Sequence, residues 1–216
     1  MRILDNRYSR DLRRHDLALR MIRHEVRTVT IRAWTGLSDT RIRSLFRSYL
    51  TQPGSSALRH RGPPPKRIEP ILRSKSVNAE AAVLAGLCLA IGALPSKPLA
   101  NPARELPSLS AGERLCFAFE LYRQMIPKPQ ITLDQLVLLV MLLAERIEVA
   151  LAHCDSCDAA ILLMLLHKPV RICTQCAAHT QRGSPDRGEA VRKRAEAESE
   201  GSDTADSLEG FQRPLF

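Results

Sequence analysis

The sequence predicts a mainly α-helical protein with a small cysteine-rich module near its C-terminal end. Hydrophobic residues make up 44% of the 216 residues but aromatic residues only 4%, so the core is built from Leu, Ala, Ile and Val. That composition favours helices over sheets. In several segments the apolar residues also recur at helical spacing, and proline-rich loops lie between these segments. Four cysteines then follow in two CxxC pairs, which sets this part of the chain apart.

Residues 1–75 are predicted to form a basic helical segment. Apolar residues recur near helical spacing over 10–34, which predicts one long helix there. A break follows at Thr35-Gly36-Leu37, and Ser38 can cap a second helix over about 39–50. The apolar residues of that second helix share one face: Ile42, Leu45, Phe46 and Tyr49.

Residues 76–152 are predicted to form a helical core. A predicted loop over 51–65 lies before this core, and its three consecutive prolines favour an extended backbone. The apolar run over 77–94 predicts a buried helix, and four prolines make 95–107 a loop.

Two helix starts follow from capping patterns in the same core. Ser110, with Glu113 three residues later, has the pattern of a capping box and predicts a helix that stops before Pro127. Thr132 is predicted to cap a further helix that runs to about Ala152.

The cysteines carry the strongest chemical signal. They are Cys154, Cys157, Cys173 and Cys176, with the spacing C-x2-C-x15-C-x2-C. This spacing is typical of a structural zinc site with four thiolate ligands and no open position. Two disulfides, or four unrelated buried thiols, are the alternatives, and His153 or His167 could replace a ligand. We therefore predict a four-cysteine zinc module over 153–180 that binds one Zn²⁺, followed by a disordered tail over 181–216.

The cellular setting predicted from the sequence is reducing. The chain begins with charged residues and shows no signal-peptide core, which favours a cytoplasmic protein. Cys88 and Cys116 lie alone in apolar segments and are predicted to be buried core residues. The longest apolar runs, 81–94 and 136–144, are too short to cross a bilayer, so no membrane association is predicted.

The basic charge is concentrated at one end of the chain. Residues 1–75 contain 16 Arg and 2 Lys against 6 acidic residues, a net charge of +12, whereas the other 141 residues sum to −3. A one-sided, arginine-rich segment is typical of a protein that binds a polyanion, most often nucleic acid. The alternative is a solvated basic face without a specific partner.

The segment 30–49 fits a helix-turn-helix with Gly36 in the turn. Arg32, four positions before the glycine, departs from the small residue usual there, and an ordinary helical hairpin is the alternative. The second helix would present a set of polar and basic side chains to the major groove: Thr40, Arg41, Arg43, Ser44 and Arg47. We predict that Arg41 and Arg43 lie nearest the bases and Arg47 nearer phosphate.

The sequence offers no catalytic constellation. Its six histidines are scattered, and it contains no phosphate-binding glycine loop, no GxSxG motif and no paired-carboxylate segment. We therefore expect neither an enzyme nor a small-molecule substrate.

In combination, these features resemble the FlhC family, the zinc-binding subunit of the bacterial flagellar master transcription activator. The resemblance covers about residues 10–180. It includes the basic helix-turn-helix-like hairpin, Pro63-Pro64-Pro65-Lys66, Phe119-Glu120-Leu121-Tyr122 and the two CxxC pairs. It implies a largely helical fold, zinc held by the four cysteines, and a DNA-binding role for the arginines from Arg32 to Arg47.

The resemblance also implies partners and a location. A member of this family acts in the bacterial cytoplasm, in a hetero-oligomer with a FlhD-like subunit that binds double-stranded promoter DNA and recruits RNA polymerase. The predicted function is thus a DNA-binding transcriptional activator subunit at flagellar or related promoters. One alternative is a zinc-stapled interaction module without DNA specificity. The other is an RNA-binding zinc protein, which the scarcity of base-stacking aromatic residues disfavours.

Overall fold

The computed structural model describes residues 2–50, 60, 62–166 and 170–182. Over these residues the protein is mainly helical, with a single two-stranded antiparallel sheet, which confirms the predicted fold class. The chain divides into two units, residues 1–174 and residues 175–216, and the described part of the second unit is the continuation of the last helix. None of the described helices is both long enough and apolar enough to span a bilayer. The finer division at 75, 152 and 180 stays a prediction.

The N-terminal segment forms two helices where one was predicted. Helix α1 is Arg2–Arg23 and helix α2 is Thr28–Thr35, with Glu25 between them at φ 59°. The prediction of one continuous helix over 10–34 was wrong because a distant side chain sets the break. The carboxylate of Asp134 accepts the backbone N–H of Arg27 at the start of α2 and the hydroxyl of Thr30.

The predicted turn and second helix are both present. Gly36 ends α2 at φ 70°, a left-handed conformation that glycine adopts without strain, and its N–H donates to the carbonyl of Arg32. Helix α3 is Asp39–Leu50, and the hydroxyl of Ser38 accepts the N–H of Arg41 at 3.4 Å. Ile42 and Phe46 are fully buried, so this face of α3 packs against α1 and α2.

Three helices follow residues 62–68, which form neither helix nor strand. Helix α4 is Glu69–Arg73, and helix α5 is Lys75–Ala90, which places a helix close to the predicted span 77–94. The proline-rich segment 95–107 is not entirely loop, because Pro102–Glu105 forms the short helix α6. Proline at the first helical position has the backbone angle that a helix start requires.

Helices α7, Leu109–Met125, and α8, Leu133–Glu145, complete the core. The cap of α7 is Ser108, whose hydroxyl accepts the N–H of Ala111, so the predicted start at Ser110 was two residues late. The predicted cap at Thr132 is confirmed. Its hydroxyl accepts the N–H of Gln135, and the Gln135 side chain accepts the N–H of Thr132 in a capping box.

The segment after α8 is a hairpin and not a helix. Strand β1, Val149–His153, pairs antiparallel with strand β2, Ala160–Met164, so the predicted helix to Ala152 was wrong. Arg146 ends α8 in the left-handed conformation, at φ 57°. Helix α9, Thr174–Arg182, is the last described element. The tail predicted to be disordered lies outside the described residues from 183 onward, as does most of the loop predicted over 51–65.

The helix-turn-helix-like segment shares one hydrophobic core with α4, α5, α7 and α8. Arg13 pairs with Glu113, and Arg20 pairs with Glu120 at 2.8 Å, which joins α1 to α7 at two points. Gly112 permits the helices to approach closely. A Cβ atom at Gly112 would lie 2.7 Å from Leu17 Cδ2 and 3.3 Å from Trp34 Cε3.

Candidate metal centre and nucleic-acid interface

The hairpin positions the first cysteine pair. Cys154 follows the last residue of β1, and its N–H donates to the carbonyl of Ala159, while its own carbonyl accepts the N–H of Asp158. Asp158 adopts a left-handed conformation with φ 59°, which tightens the turn that carries Cys157. The N–H of Asp155 donates to the carbonyl of Arg171 and so fixes the segment that leads to the second pair.

The second pair lies at the start of α9. Cys173 precedes the helix and Cys176 lies in its first turn. The backbone N–H of Cys173 donates to the sulfur of Cys154 at 3.2 Å, and the sulfur atoms of Cys157 and Cys173 are 3.6 Å apart. The ligand atoms of all four cysteines lie within 4.8 Å of one another, so the cluster predicted from the spacing could hold a metal ion.

The surroundings of Cys154 favour the thiolate that a metal requires. Cys154 is buried. Hydrogen bonds from three backbone N–H groups lower the pKa of its thiol to about 6; in decreasing order of effect, these donors are Cys173, Ser156 and Cys157. Hydrogen bonds to a charged form stabilise that form.

The two histidines near the cluster in sequence and the two isolated cysteines are not among the four clustered side chains. His153 directs Nδ1 at the carbonyl of Asp158, 3.0 Å away, and His167 lies outside the described residues. Cys88 and Cys116 are buried in the helical core, as predicted, and burial raises the pKa of each thiol to about 12. Such thiols stay protonated and act as small apolar side chains.

All six residues predicted to contact DNA are exposed: Arg32, Thr40, Arg41, Arg43, Ser44 and Arg47. Five of them lie on α3, away from the buried residues Ile42 and Phe46. Arg32 lies on α2, and its guanidinium pairs with Asp39 at 3.4 Å. The departure at Arg32 from the usual helix-turn-helix pattern therefore places no bulky side chain inside the core.

No protein-family model matches the chain, and no curated protein is significantly similar to it.

Sequence reasoning missed the hairpin and the contacts that hold α2. The run over 159–166 is conspicuously apolar, and its central residues, Ile161 to Leu163, are buried in β2. A short apolar run of this kind between turn residues is compatible with a buried strand, so that signal could have been used. Asp134 left no such signal, because the groups it binds lie more than 100 residues earlier in the chain.

Proposed function

We propose that this chain is a zinc-stapled, DNA-binding subunit of a transcriptional activator. The observation that carries the proposal is the surface of α3. One side of this helix is buried in a shared core, and the other side presents Arg41, Arg43 and Arg47 to solvent, directly after a glycine turn. A helix of this kind, held rigidly with an arginine-rich outer face, has the form that enters the major groove.

The metal in this proposal is Zn²⁺. Four thiolates are the donor set that zinc prefers in structural sites, which have no open position for water or substrate. Zinc–sulfur bonds of about 2.3 Å place the sulfur atoms of a tetrahedral site about 3.8 Å apart. The separation of 3.6 Å between the sulfur atoms of Cys157 and Cys173 fits that size. The bound ion would stabilise the fold of the hairpin and the residues around Cys173, and it would take no part in chemistry.

The geometry of α3 favours a different reader of the bases from the one predicted from sequence. With roughly 100° of rotation per residue, Thr40, Ser44 and Arg47 occupy the middle of the outward arc, and Arg41 and Arg43 lie at its two edges. The middle of the arc faces away from the core and reaches deepest into a groove. We therefore assign Arg47 to the bases and the flanking arginines to the phosphates on either side.

A salt titration on the full-length protein tests this assignment, with the promoter duplex and a scrambled duplex as probes. Arg47→Ala should reduce the discrimination between the duplexes by roughly 1–3 kcal/mol. Arg41→Ala should weaken binding to both duplexes and lower the salt slope by about one unit. Arg104→Ala, an exposed arginine on α6, is the matched control. Unchanged binding of both duplexes by Arg41→Ala and Arg47→Ala would remove α3 from the interface.

A partner subunit is part of the proposal, because the FlhC resemblance implies a FlhD-like subunit and RNA polymerase. Exposed apolar side chains in the chain between β2 and α9 support a protein-binding surface: Leu165, Leu166, Val170 and Ile172. Exposed apolar groups of this kind often mark interaction sites. Co-purification from the host should recover a helical partner in fixed stoichiometry. A partner recovered without any duplex DNA binding would favour the alternative of a pure interaction module.

A further inference from the structure

A cavity of about 540 Å³ is lined by residues of α1, α3, α7 and α8 and of the segments that connect the helices. Arg23 at the end of α1, Arg27 at the start of α2 and Arg123 on α7 all contribute to its lining. The volume is within the range of roughly 300–1,000 Å³ that small-molecule sites occupy. None of the six residues assigned to DNA, and none of the four cysteines, lines it.

Two of these arginines, Arg23 and Arg123, lack the carboxylate partner that Arg13 and Arg20 of α1 have within the described residues. Arg13 and Arg20 each pair with a glutamate of α7. Among the residues that the structure describes, no carboxylate pairs with Arg23, and the guanidinium of Arg123 contacts only the Nδ1 atom of His24, at 3.5 Å. Two guanidinium groups without a counter-ion in that part of the chain therefore border one concave surface, and an anion in the cavity would neutralise them.

The third arginine, Arg27, is already engaged by a buried carboxylate. Arg27 uses Nη1 for the buried carboxylate of Asp134, at 2.9 Å, but its Nε atom is buried and has no acceptor within the described residues. A buried N–H group without an acceptor is unfavourable and is rare in proteins. Because this Nε atom has almost no accessible surface, an anion in the cavity would not reach it, and Arg27 contributes positive charge there and no free donor.

The acidic groups at the cavity do not cancel this basic character. Asp134 lines the cavity, but its carboxylate already accepts the N–H and Nη1 of Arg27 and the hydroxyl of Thr30. Glu25 contacts His60 at 3.1 Å. Burial lowers the pKa of His24, so this imidazole is neutral at pH 7 and the positive charge comes from arginine.

We propose that this cavity binds a small organic phosphate. A phosphate dianion carries two negative charges on neighbouring oxygen atoms and can neutralise two guanidinium groups, whereas a single carboxylate carries one charge. The capped start of α8 at Thr132 and Gln135 also lines the cavity, and the positive end of a helix dipole favours a dianion. The volume exceeds that of inorganic phosphate, so the ligand carries a further organic portion. The proposal goes beyond DNA binding and does not depend on it.

Isothermal titration calorimetry on the full-length protein tests the proposal in a phosphate-free buffer, with AMP, pyrophosphate, inorganic phosphate, succinate and adenosine as probes. AMP should bind saturably at one site, and adenosine and succinate should not. The double variant Arg23→Ala/Arg123→Ala should weaken AMP binding about tenfold or more, because charge-assisted hydrogen bonds are lost. The double variant Arg41→Ala/Arg43→Ala, on the α3 surface, should bind AMP like the parent.

Two further measurements keep the test decisive. Thermal unfolding of the cavity variant should match the parent, because neither arginine has a carboxylate partner among the described residues, and the Arg23→Lys/Arg123→Lys variant should recover part of the binding. The proposal is overturned if no phosphate probe binds at millimolar concentration, if succinate binds as well as AMP, or if the alanine variant binds AMP like the parent. It is also overturned if the cavity variant loses only duplex DNA, because the arginines would then belong to the DNA surface.

Discussion

Asp134→Ala should destabilise the protein more than any substitution on its surface. The side chain of Asp134 is 3% exposed and accepts three hydrogen bonds, from the N–H and Nη1 of Arg27 and from Oγ1 of Thr30. Removing one partner of a fully buried ion pair costs about 3–5 kcal/mol, because the other charge stays buried without compensation. Arg27 is 25% exposed, so water recovers part of that loss. We expect a decrease of about 2–3 kcal/mol in the free energy of unfolding.

Urea unfolding of the full-length protein, followed by far-ultraviolet circular dichroism, measures this change. Asp16→Ala, which removes an exposed aspartate from α1, is the matched control and should change the stability by less than about 0.5 kcal/mol. Thr30→Val should cost about 1 kcal/mol by itself and almost nothing in the Asp134→Ala background, because its hydrogen-bond partner is then gone. A loss below about 0.5 kcal/mol for Asp134→Ala would refute the idea that this carboxylate holds the start of α2.

Three further predictions concern the cysteine cluster and the core. Cys157→Ser should abolish stoichiometric zinc, measured by mass spectrometry of the purified protein, and unfold the hairpin locally, because metal binding and folding are coupled; full zinc occupancy would contradict the site. Tyr122→Phe should cost about 1–3 kcal/mol in the same urea assay, because the buried N–H of Ile131 loses its acceptor; an unchanged midpoint would count against it. The hydrogen bond from Arg13 lowers the pKa of Glu113 below its ordinary value of 4.5. The ionised Glu113 should therefore stabilise the fold fully above pH 4.5, and this stabilisation should disappear as the pH falls through the lowered pKa. Unfolding midpoints from about pH 7 to about pH 3 should show a smaller decline in Glu113→Gln.

Local signals predicted the features that depend on nearby residues. The capping box at Thr132, the turn at Gly36 and the proximity of the four cysteines all follow from side chains within a few positions, or from ligand spacing. Such features depend on interactions between residues that are close in the sequence, so the sequence alone is enough to locate them.

The missed features depend on residues far apart in the chain. The break at Glu25 is fixed by Asp134, and β1 is a strand because Ala160–Met164 pairs with it. Apolar periodicity favoured a helix at both places, and tertiary contacts overrode that preference. The cavity lined by Arg23 and Arg123 could not be predicted from the sequence either, because its walls come from segments that are distant in the chain.

The close approach at Gly112 has a consequence for how this protein can be recombined. Because α7 packs its bare backbone at Gly112 against Leu17 of α1 and Trp34 of α2, the two helices that support α3 rest on residues from the middle of the chain. The basic segment therefore cannot be transferred alone to another scaffold, because cutting the chain after it would expose the hydrophobic core that it shares with the later helices. Under the proposed function, changes of DNA target would therefore arise by substitution on the outward-facing side of α3, while the rest of the fold stays unchanged.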